Sequence, residues 1–258
     1  MILPPKFLPE RPVWRLLAGR LMDLVYPSAC AVCQLALADG RTLCDACDSD
    51  LPRLAEPFCQ SCGEAFEGRI EASFSCPNCS RLKFSFEFAR SATVRDDRTL
   101  EMIHRLKYGR EIHLAKELGR LAHESFIVDP RLAPALAGGW PLIPVPLHRK
   151  RQRHRFFNQA AEISRILATR TGLPLLDGLR RIRQTETQTR LTRAQRMENL
   201  RGAFALTRKG HRWISRLPKG GAVLVDDVFT TGSTVDECAK MLRRGGFQRV
   251  FVVTVMRG

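Results

Sequence analysis

The stretch Ala222-Val-Leu-Val-Asp-Asp-Val-Phe-Thr-Thr-Gly-Ser-Thr234 joins an apolar run to a polar turn. Its first four residues are all apolar, which is typical of a parallel strand that is covered on both faces. A helical pattern follows over 231–244 and ends at Gly245 and Gly246. The stretch therefore predicts a buried strand, a tight turn and a helix.

The same alternation continues on both sides of this stretch. Short apolar runs at 141–146 and 250–255 predict two more buried strands, and 84–94 predicts an extended segment. Helical patterns cover 100–106, 114–126 and 159–171, the last one stopped by Gly172 and Pro174. Strands that alternate with helices predict the α/β class, with a parallel sheet and helices on both sides.

The turn after the strand carries the chemistry. Asp226 and Asp227 lie at the carboxyl end of the strand, where open α/β sheets bind ligands. The start of the helix offers backbone N–H groups and a positive dipole end to an anion, and Gly232 allows close approach. The candidate anion-binding residues of the turn are Thr230, Thr231, Gly232, Ser233 and Thr234. A plain helix cap would explain one hydroxyl residue but not two adjacent carboxylates.

Eight of the nine cysteines form four Cys-x-x-Cys pairs between residues 30 and 79. The pairs are Cys30/Cys33, Cys44/Cys47, Cys59/Cys62 and Cys76/Cys79. Two such pairs supply the four thiolates that structural zinc prefers, so we expect two closed zinc sites without catalysis. Disulfides or a redox motif are the alternatives, but no export signal is visible. Consecutive pairing is favoured by the short spacings, and a cross-braced pairing stays open.

Composition narrows the functional classes. The 258 residues include 42 Lys and Arg against 26 Asp and Glu, a formal net charge of +16, which predicts an anionic partner. Apolar residues make up 44%, which excludes a disordered chain. No apolar run is long enough for a transmembrane helix, and no secretory signal is visible, so a cytoplasmic protein is expected. The pattern around Trp14 and Leu21 predicts an N-terminal packing helix, and Cys238 reads as a small buried hydrophobe.

The stretch 222–234 resembles the 5-phosphoribosyl-1-pyrophosphate (PRPP) signature of type I phosphoribosyltransferases. Over nearly its full length the chain resembles the ComF family. The matching segments are Leu21-Met-Asp-Leu-Val-Tyr-Pro27, Leu106-Lys-Tyr-Gly109, the strand and basic loop over 145–159, and the mobile loop from Arg183 through Ala203-Phe204.

The resemblance implies three parts: an N-terminal helix over 1–28, a double zinc ribbon over 29–82 and a phosphoribosyltransferase-like domain over 83–258. It implies that Asp226 and Asp227 are the catalytic pair, holding ribose and Mg²⁺, and that the turn holds the 5′-phosphate. The basic loop, with Arg149, Arg151 and Arg155, would face the pyrophosphate, and Lys107 would also bind PRPP. Phe156 stands where the family usually has glycine, so a positive φ there would strain the loop.

The resemblance implies PRPP, or a related phosphorylated ribose, as substrate and an unassigned acceptor for a pentosyl transfer. It links the chain to DNA uptake and natural competence, with competence-machinery partners, or to nucleotide metabolism. The alternatives are a PRPP- or nucleotide-sensing regulator and a single-stranded-DNA-binding factor. Zinc ribbons and basic loops could bind a phosphate backbone, although only 7% of residues are aromatic and stacking platforms are scarce.

Overall fold

The computed structural model describes residues 28–37, 40–66, 68, 74–80, 82–183, 193–216 and 220–258. The predicted N-terminal helix lies outside the described residues. The chain divides into two compact units, one up to Asp50 and one from Leu51 to Gly258. The predicted zinc segment over 29–82 is thus shared between the two units, and the predicted domain boundaries stay predictions.

The first unit is small. Strands β1 (Ser28–Ala29) and β2 (Ala36–Leu37) pair antiparallel and enclose the turn that holds the first Cys-x-x-Cys pair. Helix α1 (Asp45–Ser49) carries the last cysteine of the first four. Among the described residues of this unit, the short hairpin and the single helical turn offer little apolar surface, so this part of the fold depends on its cysteines.

The second unit is built on a four-stranded parallel sheet. Its strands are β3 (Phe88–Thr93), β4 (Leu142–Pro144), β7 (Gly221–Phe229) and β8 (Arg249–Arg257), in the spatial order β3-β8-β7-β4. Two further strands, β5 (Leu179–Arg181) and β6 (Phe204–Leu206), pair antiparallel. The α/β class and the parallel sheet are confirmed. Because β7 lies between β8 and β4 and its first five residues are buried, apolar and polar residues do not alternate along this part of the strand.

The described residues form ten α-helices. Helix α1 belongs to the first unit and the other nine belong to the second. These nine are α2 (Pro77–Ser80), α3 (Asp97–Tyr108), α4 (Leu114–Val128), α5 (Ala133–Ala137), α6 (Arg149–Arg155), α7 (Gln159–Thr171), α8 (Arg193–Leu200), α9 (Arg208–Arg216) and α10 (Ser233–Gly245). A 3-10 turn spans Pro130–Leu132. The Asn158 side chain caps α7, and Gly172 ends it at φ +73°. None of these described helices combines the length and apolar character that a membrane crossing requires.

The basic segment that was expected as a loop is instead helix α6. The His148 ring accepts the Lys150 N–H at 3.4 Å at its start, and Phe156 ends it in the left-handed conformation. Both ends of α6 are therefore set by local features that cannot be inferred from the run of Lys and Arg residues. Residues 184–192 of the expected mobile loop lie outside the described residues, and 193–200 form α8.

Candidate functional site

The acidic pair lies in the last third of β7. Asp227 is 4% exposed, and Asp226 is partly exposed. The Asp226 carboxylate accepts the Asp227 N–H at 2.9 Å, and the Asp227 carboxylate accepts the Val228 N–H at 2.8 Å. The strand thus delivers both acids to the carboxyl edge of the sheet, each held by a neighbouring amide.

Lys107 joins this pair from the last turn of α3. Its Nζ lies 2.6 Å from Oδ2 of Asp227, and both side chains are largely buried. Burial and the charge of Asp227 raise the pKa of Asp226 to about 8, against the opposing attraction of Lys107. Asp227 is therefore committed to an ion pair inside the chain, and Asp226 is the acid whose charge a bound cation or hydroxyl donor would favour.

The turn after β7 leads into α10 through a left-handed glycine. Gly232 has φ +77°, and a Cβ there would lie 2.7 Å from Cζ of Phe229. The hydroxyls of Thr231 and Ser233 lie 2.9 Å apart, and the Ser233 N–H reaches Thr231 Oγ1 at 3.5 Å.

The first amide of α10 that bonds to a backbone carbonyl is Asp236, which donates to Gly232 at 2.8 Å. Within the part of the chain that the structure describes, the N–H groups of Gly232, Thr234 and Val235 have no acceptor. The start of α10 therefore keeps several donors for an anion.

A cavity of about 570 Å³ opens beside the acidic pair, and we call it the central cleft. Its lining has five Lys and Arg side chains against the two acids. It is lined by Lys107, Tyr108, Val145, Pro146, Leu147, Lys150, Arg151, His154, Arg155, Gln159, Arg181, Asp226, Asp227 and Thr234. Such a cleft suits a ligand that carries several negative charges.

The structure brings most of the predicted site residues to this cleft. Lys107, Arg151, Arg155, the two acids and Thr234 line it, whereas the remaining residues of the turn are not among its lining residues. Arg149 lies on the other side of α6 and lines a neighbouring cavity of about 630 Å³. The five cations of α6 therefore do not face one ligand together.

Arg155 is held at one side of the cleft. It donates to the Tyr108 hydroxyl and to Gln159 Oε1, each at 3.2 Å, and lies 4.9 Å from the centre of the Tyr108 ring. The next residue, Phe156, has φ +67° and is 70% exposed, with the Arg110 guanidinium 4.2 Å from its ring centre. The position where the family usually has glycine thus has a positive φ in this chain, although it is a phenylalanine.

Arg181 is a candidate that the sequence analysis missed. It lies on β5, is 9% exposed and lines both the central cleft and the neighbouring cavity. Burial and the nearby Arg151 lower its pKa, which the charge of Asp226 opposes. Leu179 and Arg181 are buried while Arg180 is exposed, so strand alternation around Leu179 is the signal that could have placed Arg181 inward.

The eight cysteines form two clusters of consecutive pairs. In each cluster the four Sγ atoms lie within 4.8 Å of one another, and Cys33–Cys44 and Cys62–Cys76 are each 3.7 Å apart. Four sulfurs bound at about 2.3 Å to one tetrahedral ion would lie about 3.8 Å apart, so the clusters fit zinc. Amides of Cys44 and Cys76 donate to Cys30 and Cys59 sulfurs at 3.5 and 3.2 Å. The clusters are structural zinc sites.

The two clusters differ in their surroundings. In the first cluster Cys33 is exposed and Cys47 is partly exposed, whereas all four cysteines of the second cluster are buried. The second cluster belongs to the same buried group as Phe86 and Phe229, next to the turn. Cys238 is also fully buried in this group, as a small hydrophobe.

Comparisons with known proteins agree with this architecture. The double zinc ribbon domain model matches residues 21–80. "DNA utilization protein YhgH" from Escherichia coli O6:H1 is 33% identical over 244 residues, covering 91% of this chain and 99% of that protein. "Competence protein F" from Haemophilus influenzae is 29% identical over 211 residues, covering 81% and 88%. "Competence protein ComFC" from Streptococcus pneumoniae is 23% identical over 244 residues, covering 94% and 99%. With a double zinc ribbon, a parallel α/β unit and relatives of this length, the chain belongs to the ComF family.

Proposed function

We propose that the central cleft binds PRPP and that this binding serves DNA uptake. The link to DNA uptake comes from the relatives, whose names are competence protein and DNA utilization protein. The observation that carries PRPP binding is the start of α10, where amides without an acceptor in the described chain lie next to an acidic pair and a basic cleft. A phosphate, a ribose and a pyrophosphate each find a matching group there.

Each part of the ligand is assigned by charge. The amides of Gly232, Thr234 and Val235 would hold the 5′-phosphate, because a helix start favours an anion. Asp226 would accept hydrogen bonds from the ribose hydroxyls. Arg155, Arg151 and Arg181 would face the pyrophosphate, since a charged leaving group needs fixed cations in a sheltered cleft.

The Asp226 carboxylate is the group in the central cleft that suits Mg²⁺. The Asp226 carboxylate is a hard oxygen ligand in a cleft that would also receive phosphate oxygens, and Mg²⁺ prefers such ligands. When bound it would neutralise charge on the pyrophosphate. Lys107 would hold the Asp227 side chain in place through their ion pair, so that Asp227 orients the edge of the sheet while Asp226 meets the ligand.

If the cleft turns PRPP over, the bond between the anomeric carbon and the pyrophosphate oxygen breaks, pyrophosphate leaves and an acceptor nucleophile forms the new bond. The chain's contribution would be to position the ribose and to neutralise the leaving group. Pyrophosphate release on mixing the protein with PRPP, Mg²⁺ and candidate bases separates a transferase from a PRPP sensor.

Calorimetry with PRPP, with and without Mg²⁺, tests the binding proposal. We expect wild-type protein to bind PRPP, and Asp226→Asn to bind it at least tenfold more weakly with zinc content unchanged. Asp177→Asn is the matched control, because Asp177 lines the neighbouring cavity and not the central cleft. Equal PRPP affinity of Asp226→Asn and wild type would contradict the site assignment.

A further inference from the structure

Arg257 connects the second cysteine cluster to the turn that follows β7. It is the last residue of β8 and is 9% exposed. Its Nη1 donates to the carbonyl oxygens of Phe229 and Thr230 at 3.0 and 3.1 Å. Its Nη2 lies 4.0 Å from the Cys62 sulfur and pairs with the Glu64 carboxylate. One planar guanidinium thus contacts both the metal cluster and the turn.

The positive charge of Arg257 compensates the negative charge of the zinc-loaded second cluster. Four thiolates around one Zn²⁺ carry a net charge of about −2, and this cluster is buried. A buried net charge is costly unless an opposite charge lies close by. Arg257 supplies a positive charge next to one of the sulfurs, so the loaded cluster and the arginine stabilise each other.

Packing carries the link onward from Arg257 to the turn. The Phe229 ring lies 5.3 Å from the Arg257 guanidinium and meets Phe86 edge-on at 6.0 Å between ring centres. The same ring lies directly beneath Gly232, which has no room for a Cβ. A shift of Phe229 would therefore be felt at Gly232, the residue that sets the direction of the free amides.

A second contact ties the first turn of α10 to the segment that follows the cluster. The Ser85 N–H donates to Oδ1 of Asp236 at 2.6 Å. The start of α10 is therefore held at two points, by the Phe229 ring at Gly232 and by the Ser85 amide at Asp236.

We propose that Arg257 is a positioning residue that couples zinc in the second cluster to the anion-binding conformation of the turn 230–234. With zinc bound, Cys62 and Glu64 hold the guanidinium, and the guanidinium holds the Phe229 and Thr230 carbonyls. Because such coupling is reciprocal, an anion at the turn raises the affinity of the second cluster for zinc, so a competing chelator removes less of it at equilibrium. The part that concerns PRPP rests on the proposed function.

Zinc release to a chelating dye tests the coupling in full-length protein. Cys47→Ser removes zinc binding from the first cluster, which lies in the separate unit, so that the dye reports the second cluster. We expect PRPP with Mg²⁺ to raise the dye concentration that removes half of this zinc at equilibrium by at least fivefold, a usual size for coupling between sites. Adding Arg257→Gln should reduce the effect below twofold, whereas Arg249→Gln should leave it unchanged. Arg249 lies on the same strand but pairs with Glu87 at the exposed start.

Hydrogen exchange tests the coupling without any nucleotide. We expect two hydrogen-bonded amides at the start of α10 to exchange at least tenfold faster in Arg257→Gln than in wild type: the Asp236 N–H, which donates to the Gly232 carbonyl, and the Ser85 N–H, which donates to the Asp236 carboxylate. Most of the protection should be restored in Arg257→Lys, which keeps the charge beside Cys62. Chelation of wild type should give the same local increase. An unchanged rate, or an equal increase throughout β7 and β8 that reveals only a loss of global stability, overturns the proposal.

These two measurements separate the proposal from the proposed function. If wild type binds no PRPP, the proposed function fails, and hydrogen exchange alone decides the coupling. If wild type binds PRPP but zinc release is unaffected by it, the coupling fails and the proposed function stands.

Discussion

Replacing Lys107 with methionine should destabilise the second unit strongly. Lys107 Nζ is 2.6 Å from Asp227 Oδ2, and only 16% and 6% of the two side chains are exposed. Removing one member of a buried ion pair costs about 3–5 kcal/mol, because the remaining charge is left without compensation. Since the lysine keeps some exposure, we expect a loss of about 3 kcal/mol in the free energy of unfolding at pH 8.

The loss should depend on pH in a defined direction. In wild type the pKa of Asp226 is raised to about 8, so the folded protein binds this proton more tightly than the unfolded chain. The contribution of Asp226 to the free energy of unfolding therefore falls as pH rises from about 4 to about 8. Without Lys107 the opposing attraction is gone and the pKa of Asp226 rises further, so Lys107→Met should lose more stability at pH 8 than at pH 5.5, where the acid pair can take up a proton.

Urea unfolding at the two pH values, followed by circular dichroism, measures this loss. The double variant Lys107→Met with Asp227→Asn should recover at least half of it, because the buried Asp227 carboxylate that lost its lysine is then replaced by a neutral amide. Lys240→Met is the matched control: its pair with Glu237 spans 3.3 Å with the lysine 39% exposed, so it should cost less than about 1 kcal/mol. A loss below about 1 kcal/mol for Lys107→Met at pH 8, or no recovery in the double variant, would refute this reasoning.

Three further predictions follow from backbone geometry and cluster burial. Gly232→Ala should lower the free energy of unfolding by about 1–3 kcal/mol, because a Cβ there is strained by the left-handed backbone and overlaps with the Phe229 ring, and it should weaken PRPP binding. Urea unfolding measures the loss, and Gly139→Ala is the control: its φ is +57° but the space around it is open, so it should cost less. Equal losses in the two variants would contradict the overlap. Phe156→Gly should be about 1 kcal/mol more stable than Phe156→Ala in the same assay, because only the alanine keeps a Cβ at φ +67°. A chelator should remove zinc from the partly exposed first cluster before the buried second one, so limited proteolysis should first cut before Asp50; simultaneous loss of both ions would argue against this order.

The fold could be predicted from local sequence wherever one pattern decides an element. The apolar run before Asp226 gave a strand, and the capped segment from Gln159 to Thr171 gave a helix with the observed ends. The basic segment over 149–155 is different. The family resemblance implied a loop there, but the segment is a helix whose ends are set by the His148 cap and by the left-handed Phe156. Neither of these local features could be inferred from the run of cations.

The candidate site could be predicted only in part, for a related physical reason. Asp226, Asp227 and the turn are adjacent in sequence, so one strand places them together. The partner of Asp227 comes from α3, and the buried Arg181 comes from β5, so both depend on tertiary packing. No periodic signal in the sequence indicates that Lys107 would reach Asp227, and this ion pair distinguishes the two acids from each other.

The two cysteine clusters show how the same motif takes on different roles. In sequence they are a doubled pattern, and both fit the same ion. The first cluster joins the described hairpin and helical turn of the first unit, whereas the second is buried among the residues that support the turn after β7. Since Arg257 lies between Cys62 and the carbonyls of Phe229 and Thr230, the second metal site is part of the support of the central cleft. A substitution that weakens only the second cluster should therefore change ligand binding as well as stability, and one in the first cluster should change stability alone.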